Sequence, residues 1–380
     1  MKNKATGFVF ILCIFFSCLS CKKENNNFLI HGKIQNAKSE FYAVYPSLDE
    51  NFLIDTIPIA ADGKFEIRGK TDSLLIVMLS ENKNNWISIF VNSGYNVTVN
   101  GDFSCLSLAN VKGGKYNNEL KAFKSQIKDE LKQKYEIEQA IKKAFYEEND
   151  GGELLFSEQI LPTLKNVDHS LMVHAEYFIK EDPGRMSNAS ILLDYFCRDS
   201  KRYKLQYFLS ILETPVKDYY ITNFLRGLSK KMEQAKVGNK ASDFVLQDTL
   251  KNNVSLADFS GQYVLLHFWA SDDLYSRLHN RYYLNDVLQL HLNKLSILGV
   301  SLDKDKATWK QSLRHDNMRW TNVCDFDGVN SAMAHSYGIF RGNKNFLINP
   351  DGIIIAQDIR PEDVKPLMQR QEEIYASSNK

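Results

Sequence analysis

The sequence has little cysteine, no excess of charge of either sign and no apolar run long enough to span a bilayer. Its basic and acidic residues number 47 and 46, and without a basic stripe nothing indicates a nucleic-acid partner. After residue 21 only Cys105, Cys197 and Cys324 remain, far apart and without a C-x-x-C pair. These cysteines are predicted to be isolated buried thiols, with a pair across domains as the alternative.

The N-terminal segment has the pattern of an export signal. Lys2 and Lys4 precede an apolar stretch, Phe8–Phe16, that is too short to cross a membrane as a helix. Ser20 then precedes Cys21. The arrangement resembles a bacterial lipoprotein signal, which implies that Cys21 is acylated as the first residue of the mature chain.

Residues 1–20 are therefore predicted to be the signal peptide, and residues 21–27 a polar tether. Cys18 is a weaker rival acylation site, and an ordinary signal peptide is the alternative reading. Two or three acyl chains would anchor the protein stably, so the membrane is an expected partner. The expected location is the cell envelope, on the periplasmic or outer-membrane face.

Residues 28–112 and 115–235 differ in pattern. The first range contains short β-rich runs separated by turn sequences such as Asp62-Gly63, which predicts an antiparallel sandwich-like domain. The second has apolar residues at spacings of three and four, which predicts a bundle of amphipathic helices. The clearest apolar series in it is Leu120, Phe123, Ile127, Leu131 and Tyr135.

Residues 237–380 alternate between strand and helix patterns around one stretch, Gly261–Arg277. Its apolar run, Val264 to Trp269, predicts a central strand of a sheet covered on both faces. The chain then turns, and helical spacing begins at Leu274. A helix that follows such a strand begins at the carboxyl edge of the sheet, where α/β folds usually keep their chemistry.

This stretch resembles the active-site segment of the TlpA/ResA-type thiol–disulfide oxidoreductases, which reads F-W-A-S-W-C-x-x-C-R. The matching residues are Trp269, Ala270, Ser271 and Arg277. Val237–Phe244 is similar to the family's V-G-x-x-A-P-D-F opening, and Ala61–Phe65 resembles the all-β domain that often precedes such modules. The resemblance implies a C-terminal thioredoxin-like domain in a multidomain chain of α+β and α/β parts.

The two redox positions of that family pattern hold Asp273 and Ser276. Asp273 is expected to cap the helix, but a carboxylate cannot exchange disulfides, and Ser276 is a poor nucleophile without a base. The family's cis-proline aligns with Asn343. Because a cis bond before another residue costs about 2.5–4 kcal/mol, the bond before Asn343 is expected to be trans.

Replacement chemistry at this edge has few candidates. Asp272 and Asp273, with Asp303 or Asp305, are oxygen ligands of the kind that divalent cations use, but no ligand-spaced loop accompanies them. Ser276 and His279 are three residues apart on one helix, as a nucleophile and base would be. Without an oxyanion signature, a solvated helix face is the simpler prediction.

Two further side chains have a structural and a functional interpretation. His267, inside the central strand, is expected to be a neutral, hydrogen-bonded core histidine. Cys324 is expected to be an inert thiol because no basic activator is adjacent, with a peroxidatic or mixed-disulfide thiol as the alternative.

The sequence thus favours a redox-inactive thioredoxin-like lipoprotein with a binding or assembly role and an envelope protein as partner. No catalytic residue, metal or cofactor is expected, and the binding candidates are Trp269, Asp272 and Arg277. The first alternative is a TlpA-like thiol–disulfide oxidoreductase or peroxidase, using Cys324 or an unrecognised pair. The second is divalent-metal binding at the Asp272/Asp273 edge.

Overall fold

The structure is a computed structural model. It describes residues 27–37, 40–46, 52–80, 85–147, 160–197, 202–289, 294–339 and 343–378. The predicted signal peptide, the acylation sites Cys18 and Cys21, and the tether up to residue 26 lie outside this range and stay predictions. Within it, no helix is both long and apolar enough to cross a bilayer.

The first part of the chain forms two four-stranded sheets. Their orders are β4-β1-β7-β8 and β3-β2-β5-β6. The pairings are antiparallel except that β1 and β7 run parallel, which the sequence pattern did not predict. The strands are β1 (Asn27–Gln35), β2 (Glu40–Pro46), β3 (Phe52–Pro58), β4 (Lys64–Lys70), β5 (Leu75–Ser80), β6 (Trp86–Val91), β7 (Asn96–Asp102) and β8 (Asn110–Lys112).

Alternating side chains from both sheets, such as Ile30, Val77 and Val97, fill one core between them. The opposite face of the second sheet is also covered. Ile76 and Phe90 of β5 and β6 share a second core with the helices that follow. Strands buried on both faces read as near-continuous apolar runs, and β5 and β6 do so. The β region and the helical region therefore stabilise each other through one shared core.

In the described residues of the helical region, six α-helices pack mainly through that shared core. A short 3₁₀ helix, Phe103–Leu108, precedes them and contacts both β6 and the second helix. The helices are α1 (Lys115–Gln126), α2 (Lys128–Glu147), α3 (Leu161–Glu181), α4 (Ser187–Tyr195), α5 (Arg202–Ile211) and α6 (Tyr220–Gln234).

The third part is built on a seven-stranded sheet in the order β10-β9-β13-β12-β11-β14-β15. The strand β11 lies in its centre, parallel to β12 and antiparallel to β14, and all seven of its residues are buried. The strands are β9 (Val245–Asp248), β10 (Asn253–Ser255), β11 (Tyr263–Trp269), β12 (Leu295–Ser301), β13 (Thr321–Cys324), β14 (Lys344–Ile348) and β15 (Ile354–Gln357).

Helices cover both faces of this sheet, and side chains of β11 therefore alternate between two cores. Val264, Leu266 and Phe268 point into one core, and Tyr263 and Leu265 into the other. The helices are α7 (Leu274–Leu278), α8 (Asn285–Gln289), α9 (Lys306–His315), α10 (Ala332–Ser336) and α11 (Pro361–Ser378), with a π-helical segment, His279–Leu284, between α7 and α8. The predicted central strand and fold class are confirmed.

Candidate functional site

The N-terminus of α7 is formed by Asp273, whose carboxylate accepts a hydrogen bond from the Tyr275 amide at 3.0 Å. The predicted helix cap is thus present. Only 2% of Asp273 is exposed. Burial and the neighbouring Asp272 raise the pKa of this carboxyl, while Ser276 and the first-turn amides act in the opposite direction. The group is a buried cap and is not presented to solvent.

Ser276, the second redox-equivalent position, is also fully buried. The prediction of a solvated helix face at Ser276 and His279 is therefore wrong. The Ser276 side chain lies against the buried Asp273 carboxylate instead of facing solvent. His279 stacks on His267 with ring centroids 5.0 Å apart and accepts a 3.5 Å hydrogen bond from the Asn345 amide. Neither contact joins His279 to Ser276, so neither indicates that His279 acts as a base for it.

The buried histidine of the central strand is confirmed as a core residue. His267 is fully buried, and its Nε2 donates to the Asn280 side-chain oxygen at 2.8 Å. Burial, followed by the neighbouring His279, lowers the pKa of His267 well below its ordinary value. Burial also lowers the pKa of His279, to about 4. Both imidazoles are therefore neutral at pH 7.

Arg277 forms an internal ion pair instead of a binding surface. Its Nε and Nη2 donate to the two carboxylate oxygens of Asp316, the latter at 2.8 Å, and Nη2 also contacts His315 Nδ1 at 3.1 Å. Arg277 and Asp316 are 7% and 0% exposed. A bidentate pair of this kind satisfies both buried charges, so the guanidinium is not available to a ligand.

Trp269 is likewise unavailable, because none of its surface is exposed. Its indole nitrogen donates to the Asn322 side-chain oxygen at 3.1 Å, and its ring packs beside Trp309 and Cys324. The prediction that Trp269 and Arg277 contribute to a binding surface is therefore corrected. Of the three candidates only Asp272 is exposed.

The helical region covers α7 directly. The Tyr275 hydroxyl donates to a carboxylate oxygen of Glu138 on α2 at 3.2 Å. Leu278 shares an apolar cluster with Ile141 and Phe145 of α2. The Arg277 guanidinium lies 5.5 Å from the centre of the Phe145 ring. The side of α7 that carries Tyr275, Arg277 and Leu278 is thus covered by α2.

This contact between α2 and α7 was missed at the level of sequence. The signal for it is an apolar series at spacings of four on α2, namely Ile137, Ile141 and Phe145. That series continues the helix beyond the part whose apolar face enters the shared core. A second apolar stripe on one helix indicates a second packing partner. The stripe does not identify the partner.

The three described cysteines are free and buried, so the predicted isolated thiols are confirmed. Cys324 Sγ donates to the Asp303 carbonyl at 3.5 Å and accepts from the Phe326 amide at 3.3 Å. Burial raises the pKa of the Cys324 thiol to about 11. Since the thiolate is the reactive form, this cysteine is poorly suited to redox chemistry.

The acidic side chains at the sheet edge are used within the fold. Asp303 accepts from the Ser271 amide at 3.0 Å and from the Ser301 hydroxyl at 2.7 Å, and Asp305 caps α9 through the Thr308 amide at 2.7 Å. Across the described ranges, no group of three or more His, Cys, Asp or Glu side chains is arranged to hold a metal ion.

Asn343 lies partly buried immediately before β14. The residues that precede it, 340–342, are outside the described ranges, so the trans bond expected before Asn343 stays a prediction. The next asparagine fixes the local chain. Asn345 donates to the Ile359 carbonyl at 3.0 Å and accepts from the Ile359 amide at 2.7 Å.

A cleft of about 1250 Å³ lies between the β region, the helices and the edge of the third part. Its wall includes Trp86, Lys124, Tyr135 and Asp194, and it also includes Asp272. The cleft thus reaches the exposed residue next to the buried redox-equivalent positions. Clefts at domain junctions with mixed apolar and charged walls are common ligand sites.

Two family models match the chain. Residues 237–357 match the AhpC/TSA family, and residues 28–120 match a domain of unknown function, DUF4369. The C-terminal domain belongs to the AhpC/TSA family. Its predicted resemblance to the TlpA/ResA-type thiol–disulfide oxidoreductases is confirmed by the relatives of this AhpC/TSA domain.

The curated relatives include the thiol-disulfide oxidoreductase ResA of Bacillus cereus. It is 26% identical over 141 residues, which are 37% of this chain and 79% of that protein. ResA of Bacillus subtilis is 24% identical over 123 residues, which are 32% of this chain and 67% of that protein. Both are proteins to which the AhpC/TSA domain is similar.

Solved structures are similar over the same share of the chain. A thiol-disulfide oxidoreductase from Bacteroides fragilis is 31% identical and covers 35% of this chain and 99% of its own, with a TM-score of 0.33. The thioredoxin domain of a thiol-disulfide oxidoreductase from Bacteroides vulgatus is 28% identical and covers 36% and 96%, with a TM-score of 0.33.

Proposed function

We propose that the chain is a redox-inactive thioredoxin-like protein with a binding or assembly role in the cell envelope. The observation that carries the proposal is the identity and burial of two residues at the start of α7. Both redox-equivalent positions, Asp273 and Ser276, lack sulfur and are buried. Disulfide exchange requires a thiolate that a partner disulfide can reach. The chain has neither the thiolate nor the access at this position.

The covering of α7 by α2 supports the same proposal independently of the missing thiols. Tyr275, Leu278 and Arg277 all contact α2 through Glu138, Ile141 or Phe145. A substrate polypeptide would have to displace these contacts to reach this side of α7, which leaves only the approach from the cleft, where Asp272 and Leu274 lie. The AhpC/TSA domain is therefore used as architecture that holds the helical region, and recognition moves to other surfaces.

The test is reduction of insulin disulfides by the purified protein in the presence of dithiothreitol. We expect no acceleration over dithiothreitol alone. The double variant Asp273→Cys/Ser276→Cys supplies the missing thiols, and we expect it to remain far slower than a thioredoxin measured in parallel. Turnover by the wild type that disappears in Cys324→Ser would instead establish a thiol oxidoreductase.

The lipid anchor is proposed from the N-terminal sequence and has its own test. Expression with radiolabelled palmitate should label the wild type and leave Cys21→Ser unlabelled, with the variant released from the membrane fraction. Cys18→Ser is the matched control, and it should be labelled normally. Loss of label in Cys18→Ser with label retained in Cys21→Ser would move the acylation site to Cys18.

A further inference from the structure

The cleft between the three parts of the chain contains a cation with few partners. Lys124, on α1, lines it, and its ammonium donates to the Ser107 carbonyl at 3.2 Å. Across the described ranges no carboxylate forms an ion pair with Lys124. An ammonium has three donors, so one carbonyl leaves it incompletely satisfied. Burial lowers the pKa of Lys124, as expected for a charge without full compensation.

The carboxylate with the largest electrostatic effect on Lys124 is Asp194, and it accepts its hydrogen bonds from other donors. One of its oxygens accepts from the Trp86 indole at 2.8 Å and from the Ser88 hydroxyl at 3.3 Å. The other accepts from the Ser190 hydroxyl at 3.4 Å. Asp194 attracts Lys124 but does not form a salt bridge with it. These bonds position the indole of Trp86 in the wall of the cleft.

Several aromatic residues line the same cleft as this ammonium. Tyr42 is 38% exposed, and the Tyr135 hydroxyl lies 3.0 Å from the Ser104 hydroxyl. Trp86, Tyr42 and Tyr135 all line the cleft with Lys124. Aromatic rings offer large apolar contact areas at low entropic cost. A hydrogen bond from an ammonium to an anion is stronger than one between neutral groups.

Four lysines line the described wall, and Lys124 differs from the other three. Lys134 pairs with Asp168, and Lys142 and Lys165 are exposed. The wall also carries the carboxylates of Glu138, Asp168, Asp194, Asp272 and Asp358. Lys124 is the partly buried lysine of this wall that has no carboxylate partner.

We propose that this cleft binds an organic anion with a planar apolar body, and that Lys124 is the counter-ion for its acidic group. The inference deepens the proposed binding role and rests on it. The acidic group is a carboxylate, sulfonate or phosphate monoester, all of which accept charge-assisted hydrogen bonds from an ammonium. The planar body contacts the aromatic wall of the cleft.

A pair of fluorescent probes separates the charge from the rings. 8-Anilinonaphthalene-1-sulfonate carries a sulfonate, and N-phenyl-1-naphthylamine has the same rings without it. We expect the sulfonate to bind the wild type saturably at one site and about tenfold or more weakly to Lys124→Met. The neutral probe should bind both proteins equally. Lys124→Arg, which keeps the charge, should retain most of the affinity.

Lys121→Met is the matched control, because Lys121 is an exposed lysine one turn earlier on α1 and does not line the cleft. It should bind the sulfonate as the wild type does. Near-ultraviolet circular dichroism of each variant checks that the fold is intact. Equal sulfonate binding by Lys124→Met and wild type, or no saturable binding by the wild type, would overturn the anion site. Insulin turnover with normal probe binding would overturn only the redox-inactive assignment.

Discussion

Arg277 and Lys124 are both cations in partly or fully buried positions, and they differ in their partners. Arg277 has a bidentate carboxylate, Asp316, that is itself fully buried. Lys124 has one backbone carbonyl. A buried cation that is paired with a carboxylate is part of the architecture. A buried cation without a carboxylate partner is a candidate to bind an anionic ligand. The comparison separates the α7 region, which has become structural, from the cleft, which has not.

Removing each charge should therefore have different consequences for stability. Arg277→Met leaves Asp316 buried without its partner, and we expect the free energy of unfolding to fall by about 3–5 kcal/mol. Lys124→Met removes a poorly compensated charge and should change it by about 1 kcal/mol or less. Urea denaturation followed by circular dichroism measures both values.

An exposed ion pair provides the control for this comparison. Arg360 pairs with Asp363 on the surface, so Arg360→Ala should leave the free energy of unfolding nearly unchanged. A loss in Arg277→Met no larger than that in Arg360→Ala would show that the Arg277–Asp316 pair does not hold α7. A loss in Lys124→Met as large as that in Arg277→Met would place Lys124 in the architecture as well.

The stacked histidines behind α7 give the next largest effect. The pKa of His279 is about 4 in the folded protein and about 6.5 in an unfolded chain. The unfolded state therefore binds the proton more readily, and stability is lost as pH falls from about 6.5 toward 4. The loss from this group amounts to about 3 kcal/mol.

Comparing His279→Gln with the wild type at several pH values isolates this contribution. The variant cannot take up the proton, so the difference in the free energy of unfolding between the two proteins should change by that amount between pH 7 and pH 4. A constant difference between His279→Gln and the wild type would mean that folding leaves this histidine free to protonate.

The parts of the fold that the sequence predicted are those with local patterns. The run from Val264 to Trp269 identified the central strand, since a strand buried on both faces has no polar alternation. The carboxylate of Asp273 identified the start of α7. Both depend on residues adjacent in the chain.

What the sequence could not predict depends on which distant segment packs where. Ser276 and Arg277 have polar side chains that a solvated helix could carry, yet both are buried. Arg277 is covered by its pair with Asp316 and by the Phe145 ring of α2, both distant in sequence. Lys124 is one of many helical lysines, and its position in the cleft depends on three regions at once. Side-chain spacing indicates that α2 has a second packing partner, but it does not identify that partner.

The smallest predicted effect concerns the cap of α7. Asp273→Ala loses the hydrogen bond to the Tyr275 amide and should cost about 1 kcal/mol. Asp273→Asn keeps an oxygen acceptor. Folding raises the pKa of Asp273, so the unfolded chain releases the proton more readily and stability falls as pH rises through that range.

Asp273→Asn should not lose stability as pH rises, because asparagine carries no ionisable group. At pH 8 Asp273→Asn should therefore be at least as stable as the wild type, while Asp273→Ala is less stable than both. Urea denaturation at pH 8 tests this order. If asparagine proved as costly as alanine, the negative charge itself would be required at the tip of α7. The fold would then maintain a charged group at Asp273, as it does at Lys124. The contrast between a structural α7 region and a ligand-binding cleft would not hold.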